Sequence, residues 1–258
     1  MFLDSLFQGG VEMIKQRALA FMAAAVLTGM APGVGATLLY NATNEEFTVG
    51  TTPPTTGPLG APTSIDTNLG LSVANGGSGL ATGNFLRLTE SPGEAPDFRY
   101  DIGANRTSGN VSVSMNLLME GRENYHVYFR EASTSATSVA NIQFDSTGGI
   151  TIQTVGGSVS GGTYMAGTTY LLEAILDLDA DVMDVFLNGA LIAGGRAIDD
   201  VFGAAIIGFE FSSFNPSPGD FDGVMQVDNF RVSVPEPGTL ALLGLGLVAV
   251  ATRRRKRI

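Results

Sequence analysis

The sequence predicts an all-β chain, a single jelly roll or β-sandwich, and three observations carry that expectation. Short runs rich in Val, Ile, Thr, Tyr and Phe recur through residues 85–232, nearly all bounded by Gly, Asn, Asp or Ser. Within them apolar and polar residues alternate. In Val111-Ser-Val-Ser-Met-Asn-Leu, the side chains of Val111, Val113, Met115 and Leu117 share one face, and those of Ser112, Ser114 and Asn116 the other. No helical periodicity intervenes between the runs, so no crossover helices are expected to pair the strands in parallel.

Taken in order, the chain opens with an expected signal-peptide helix over residues 1–36. Lys15 and Arg17 form a charged start, 18–30 an apolar stretch, and Val34-Gly35-Ala36 a small-residue site with cleavage after Ala36. Met13 is a candidate true start, because 1–12 look unlike the beginning of an export signal. The apolar stretch of 13 residues is too short to span a bilayer stably. The other reading is an amphipathic or buried N-terminal helix.

Residues 37–233 are expected to form the sandwich. Its first strand is placed at 37–40 together with 45–49, and the Pro-rich stretch 51–63 is a surface loop or linker. Further strands are expected at 85–89, 98–102, 111–118, 125–130, 141–145, 150–154, 170–178, 183–187, 190–193, 204–211 and 224–232. Asn188-Gly189 supplies the two positive-φ residues of a type I′ hairpin. The Gly-rich pieces 75–80 and 155–162 read as turns, since neither lies between a strand and a helix as a phosphate cradle must. Tyr170-Leu-Leu-Glu-Ala-Ile-Leu-Asp-Leu-Asp179, the turn Ala180-Asp181, Met183-Asp-Val-Phe-Leu-Asn-Gly189 and Val227-Asp-Asn-Phe-Arg-Val232 resemble the later strands of concanavalin-like (laminin-G-like) jelly rolls. That resemblance implies the fold and leaves the ligand open, because the fold carries lectins, glycanases and adhesion modules alike.

The chain has no Cys, no Trp and one His, which excludes a disulfide scaffold, Cys-ligated metals and paired-His sites. Its net charge of −11 hides a segregation. From 37 to 237 there are 23 acidic residues against seven arginines and no Lys, a net of −16, whereas basic residues cluster beside the terminal apolar runs. Such a body repels nucleic acid and anionic lipid, and admits cations or neutral glycans.

Chemistry-bearing residues are sparse. His126, Tyr128 and Arg130 share one strand face, where an aromatic ring flanked by hydrogen-bond donors would suit a sugar; the plainer reading is an exposed polar face. No cofactor is expected, with calcium as the sole candidate. Asp177, Asp179 and Asp181 offer carboxylates, but an EF-hand needs Gly at 182 and Glu at 188, where Val182 and Asn188 stand, so a solvated hairpin edge is the simpler account. A second candidate joins Glu45 or Glu46 to Asp228, with a turn-capping role for Asp228 as the alternative. A Ser-His-Asp triad has one His to draw on and no G-x-S-x-G elbow. The E-x-D-x-x-E strand of concanavalin-like glycanases is also missing, so no catalytic residue is assigned.

The last 25 residues, 234–258, are the most specific stretch. Val234-Pro-Glu-Pro-Gly238 is followed by an apolar run, 238–252, and by Arg253, Arg254, Arg255, Lys256 and Arg257. The run of 15 residues measures about 22 Å as a helix, short of a roughly 30 Å hydrocarbon core. It is an expected transmembrane helix of marginal length, with the basic tail held on the cytoplasmic side. Together these parts resemble the PEP-CTERM sorting signal, with Val234, Pro235, Glu236 and Pro237 as its motif. The resemblance implies an exosortase as partner, a membrane-embedded cysteine protease cutting near the Pro-Glu-Pro corner. It also implies transit through the inner membrane of a Gram-negative-type bacterium to the cell surface or extracellular matrix. A permanent C-terminal anchor is the alternative. The expected role is non-enzymatic adhesion or polysaccharide association in a biofilm, against a secreted glycan-active enzyme or a purely structural surface protein.

Overall fold

The computed structural model describes residues 36–45, 47–53, 55, 62–65, 70–75, 80, 83–89, 97–131, 138–198, 206–213 and 223–235. The chain divides into Met1–Ala36 and Thr37–Ile258, and all that follows concerns the second unit apart from Ala36. The expected signal helix and transmembrane segment lie outside the described residues. Among the described residues no helix is long and apolar enough to cross a membrane.

Fifteen strands among the described residues form two stacked sheets. The eight-stranded sheet runs β13 (Ala190–Ala197), β12 (Val182–Leu187), β11 (Thr169–Asp177), β6 (Asn110–Met119), β15 (Val224–Pro235), β4 (Asn84–Thr89) and β3 (Gly70–Asn75), with β1 (Ala36–Ala42) also pairing to β15. The seven-stranded sheet runs β10 (Gly157–Thr163), β9 (Gly149–Thr154), β8 (Ser138–Phe144), β7 (Tyr125–Arg130), β14 (Ile206–Ser213), β5 (Asp97–Arg106) and β2 (Ser64–Ile65). The all-β sandwich expectation holds.

Strand alternation builds the core as read. On β6, Val111, Val113, Met115 and Leu117 are buried, and on β7 Tyr125, Val127 and Phe129 are buried while His126, Tyr128 and Arg130 face outward. Asn188 and Gly189 take φ of 51° and 77°, the turn expected between β12 and β13.

Four local expectations are corrected. The described residues of 45–49 form a turn, with Phe47 N donating to Asn44 O, rather than a continuation of the first strand. Residues 157–163 are strand β10 and not a turn. Gly161 is buried there, and a Cβ at that position would collide with Ile152 Cδ1, so glycine is required by packing instead of by a bend. Strands β2 and β3 were not foreseen, although Leu71 and Val73 alternate inward on β3. Finally, the Pro-rich stretch is anchored: Gly50 N donates to Val73 O, Val73 N to Thr51 O, and Pro53 and Pro62 are buried.

Strand β15 contains a device that strict alternation misses. Asn229 adopts φ 51° and the register to β6 slips by one residue between Asp228 and Arg231. This bulge resets the phase, so Val227, Phe230 and Val232 all point inward and Asp228 and Arg231 do not share their face. Phe230 then stacks on Tyr100 of β5 at 4.6 Å and meets Phe209 and Phe211 of β14 edge-on, joining the two sheets.

Candidate functional site

The outer face of β7, β8 and β9 forms an open groove of about 510 Å³. Register places Tyr128, Asn141 and Gln153 in one row across the three strands, and His126, Gln143 and Thr151 in the next. Because the inward positions of these strands are filled by core side chains, the outward ones are polar by the same alternation.

Their amides are linked. Gln153 Nε2 donates to Gln143 Oε1 at 3.1 Å, Asn141 Nδ2 donates to Gln153 Oε1 at 3.3 Å, and the Asn141 amide also meets His126 Nδ1, with Nδ2 at 3.1 Å. Asn141 Oδ1 lies 3.3 Å from the same ring nitrogen, so Nδ1 accepts from Nδ2 in one tautomer and donates to Oδ1 in the other. Burial lowers the His126 pKa below its ordinary 6.5, and the bond to Asn141 opposes that shift, so the imidazole is neutral at pH 7. Fixed in this way, the groove presents neutral donors and acceptors.

The structure brings His126, Tyr128 and Arg130 together as expected, but in a different arrangement from a sugar platform. The His126 and Tyr128 rings stack at 5.2 Å with planes 6° apart, and the Arg130 guanidinium lies 4.4 Å from the Tyr128 ring centre. At positions i−2 and i+2 these neighbours approach Tyr128 from opposite sides along the strand, so neither face is left for full stacking of a sugar. Arg130 is gripped from both nitrogens by Glu210 of β14, Nε donating to Oε2 at 2.9 Å. Sequence reasoning found the β7 residues but missed Asn141, Gln143 and Gln153. Their signal was outward phase on adjacent strands, which needs the strand order.

Asp228 sits at a second polar corner. It is buried beside the β15 bulge, where Asn229 N donates to its Oδ1 at 2.7 Å and Asn229 Nδ2 to its Oδ2 at 2.9 Å. Burial first, and then the charge of Glu45, hold its carboxyl above the ordinary 3.8, while bonds from Asn229 and Asn44 act the other way. Asn44 is buried with φ 59°, and its Oδ1 has no partner. Glu45 is thus near enough for its charge to act on Asp228, while its Oε1 accepts from Asn84 N, and Glu46 lies outside the described residues. Among the described residues no three His, Cys, Asp or Glu side chains gather at one point. Asp177 ends β11 and caps its own turn, its Oδ1 accepting from Asp179 N and Ala180 N, so the three aspartates form a turn and no shared strand face.

A smaller, more enclosed cavity of about 360 Å³ lies on the outer face of the other sheet, where Ser112, Ser114 and Ser233 meet Glu173, Ile175 and Phe186. Of the tail, Val234 and Pro235 close β15; Glu236, Pro237 and Arg253 to Arg257 lie outside the described residues.

The last strand of the β-sandwich runs into the segment that carries a sorting motif. Residues 233–256 match the PEP-CTERM protein-sorting motif, so the chain carries that motif, which implies an exported protein anchored in the membrane before exosortase processing. No curated protein sequence matches the chain. Among solved structures it is similar to the Emp47p carbohydrate recognition domain, at 10% identity and TM-score 0.51, covering 79% of this chain and 98% of that one. It is also similar to the binding domain of Paraclostridial Mosquitocidal Protein 1, at 9% identity and TM-score 0.52, covering 77% and 49%. A sialidase aligns at 17% identity and TM-score 0.49, covering 64% and 17%. The chain thus spans half or less of the latter two proteins. At such identities the likeness is one of fold, a jelly-roll sandwich.

Proposed function

We propose that the mature protein is a non-enzymatic component of the cell surface or extracellular matrix, released there by exosortase processing and associating with polysaccharide in a biofilm. The sorting motif that continues the last strand carries this reading, because it commits the sandwich to export. The polar groove supplies the contact surface. Among the described residues lining it none is a carboxylate, whereas glycoside hydrolysis ordinarily needs two flanking the bond. The purified full chain is expected to be retained on the exopolysaccharide of the producing cells, without release of soluble sugar and regardless of single Asp or Glu to Ala changes. Sugar release abolished by replacing one carboxylate would favour the secreted-enzyme reading instead.

The Asp228 corner supports calcium as a structural ion. Two neighbouring carboxylates and an orphaned buried amide oxygen match the oxygen ligands of a hard cation, with Asp228, Glu45 and Asn44 as its holders. The ion would neutralise the carboxylates and tie the turn after β1 to β15. Calcium at about 100 times its Kd is expected to stabilise the protein by about 2.7 kcal/mol, and Asp228→Ala to remove the gain. A melting temperature unmoved by millimolar calcium would end this reading.

A further inference from the structure

Resting on the polysaccharide reading, we infer that the β7–β9 groove takes a neutral, hydroxyl-rich oligosaccharide and rejects glycans whose recognition depends on a carboxylate. The outer face of the seven-stranded sheet is divided in two. On the β7–β9 side the lining is amide, hydroxyl and neutral imidazole, with Val155 exposed at the rim. On the β14–β5 side two ion pairs occupy the face. Glu210 stands between Arg130, which grips it from both nitrogens, and Arg99, its register partner on β5, and Arg99 Nε donates to Asp101 Oδ1 at 2.6 Å.

Arg130 is the guanidinium against the groove's aromatic pair, and its side chain is 11% exposed, that of Glu210 15%. An acidic sugar would have to displace a nearly buried, bidentate carboxylate before it met a cation, and the replacement leaves Glu210 buried without its counter-charge. The wider field opposes it as well, since the body is strongly acidic. Hydroxyl groups meet no such obstacle. The linked amides point donors and acceptors along the same rows; Gln143 Nε2 has no acceptor among the described residues, and His126 Nε2 offers a donor or an acceptor there according to its tautomer. Three strands cover about 10 Å, enough for a short oligosaccharide lying across them, and the groove volume is that of an ordinary ligand site.

The test is affinity electrophoresis of the purified full chain through gels containing hydroxyethylcellulose or galactomannan as neutral probes, and polygalacturonate or polysialic acid as anionic ones. Retardation by a neutral probe is expected, weakened about fivefold by Gln153→Ala or Gln143→Ala, roughly the loss of one neutral hydrogen bond. Both replaced amides are partly exposed, and an unchanged melting temperature will separate lost contact from lost folding. Retardation by an anionic probe that disappears at about 0.5 M salt, or in Arg130→Gln or Arg196→Gln, overturns the neutral-ligand inference and leaves polysaccharide association standing. Retardation by no probe, together with failure to bind the producer's own exopolysaccharide, overturns both.

Discussion

His126 illustrates how one side chain connects strand phase to pH behaviour. Its outward position follows from the buried Tyr125 and Val127 on either side, and its neutrality follows from partial burial among amides. The folded-state pKa lies below 6.5, so the unfolded chain binds more protons than the folded one in the window between the two values. Stability from this group is therefore full above pH 6.5 and lost as pH falls through that window. His126→Gln is expected to flatten the difference in melting temperature between about pH 7.5 and about pH 5, relative to wild type. An identical slope in both proteins would show that the imidazole does not titrate with folding. Asp228 has the opposite sign, because a raised carboxyl pKa makes the apo corner less favourable as pH rises through it. A bound cation would reverse that penalty.

Strand β10 shows what governs the elements. A run of Gly and Ser has the composition of a turn, yet 157–163 pairs along β9 through a bulge between Ser160 and Gly162. The bulge and the sparse side chains blunt an edge strand that would otherwise template pairing with another chain. Arg196 Nη2, from β13 of the other sheet, donates to the carbonyls of Gly156 and Gly157 and ties the two sheets at this edge. Gly161→Val places a branched side chain against Ile152 and is expected to cost about 1–3 kcal/mol in thermal or urea unfolding. A neutral effect would mean that β10 is not seated on the core. Composition could not reveal this strand: Gly157 and Gly162 serve positive-φ backbone, while the reason for Gly161 lies on β9.

At the scale of the whole molecule, the sorting motif and the proposed binding groove occupy different parts of the chain. The sandwich ends in β15, whose final residues Val234 and Pro235 are already the first of the sorting motif. Processing near that point would remove the apolar run and the basic tail while leaving the core strand intact through Val232. Mass spectrometry of the protein isolated from producing cells is expected to show a start at Thr37 and an end near Pro235 to Pro237. Recovery of an intact 253–258 tail would contradict processing and support the permanent anchor.

The sequence by itself determined the β class, the inward faces of β6 and β7, the Asn188-Gly189 hairpin and the sorting segment. These are local: side-chain alternation, turn chemistry and a contiguous motif are all written within a few residues. Only the tertiary structure decided which outward residues become neighbours. Arg130 and Glu210 are 80 positions apart, His126 and Asn141 15, and Glu45 reaches Asp228 across almost the whole sandwich. Strand order and one bulge set those meetings, and period-two patterning is silent about both, because every antiparallel arrangement of the same strands buries the same faces.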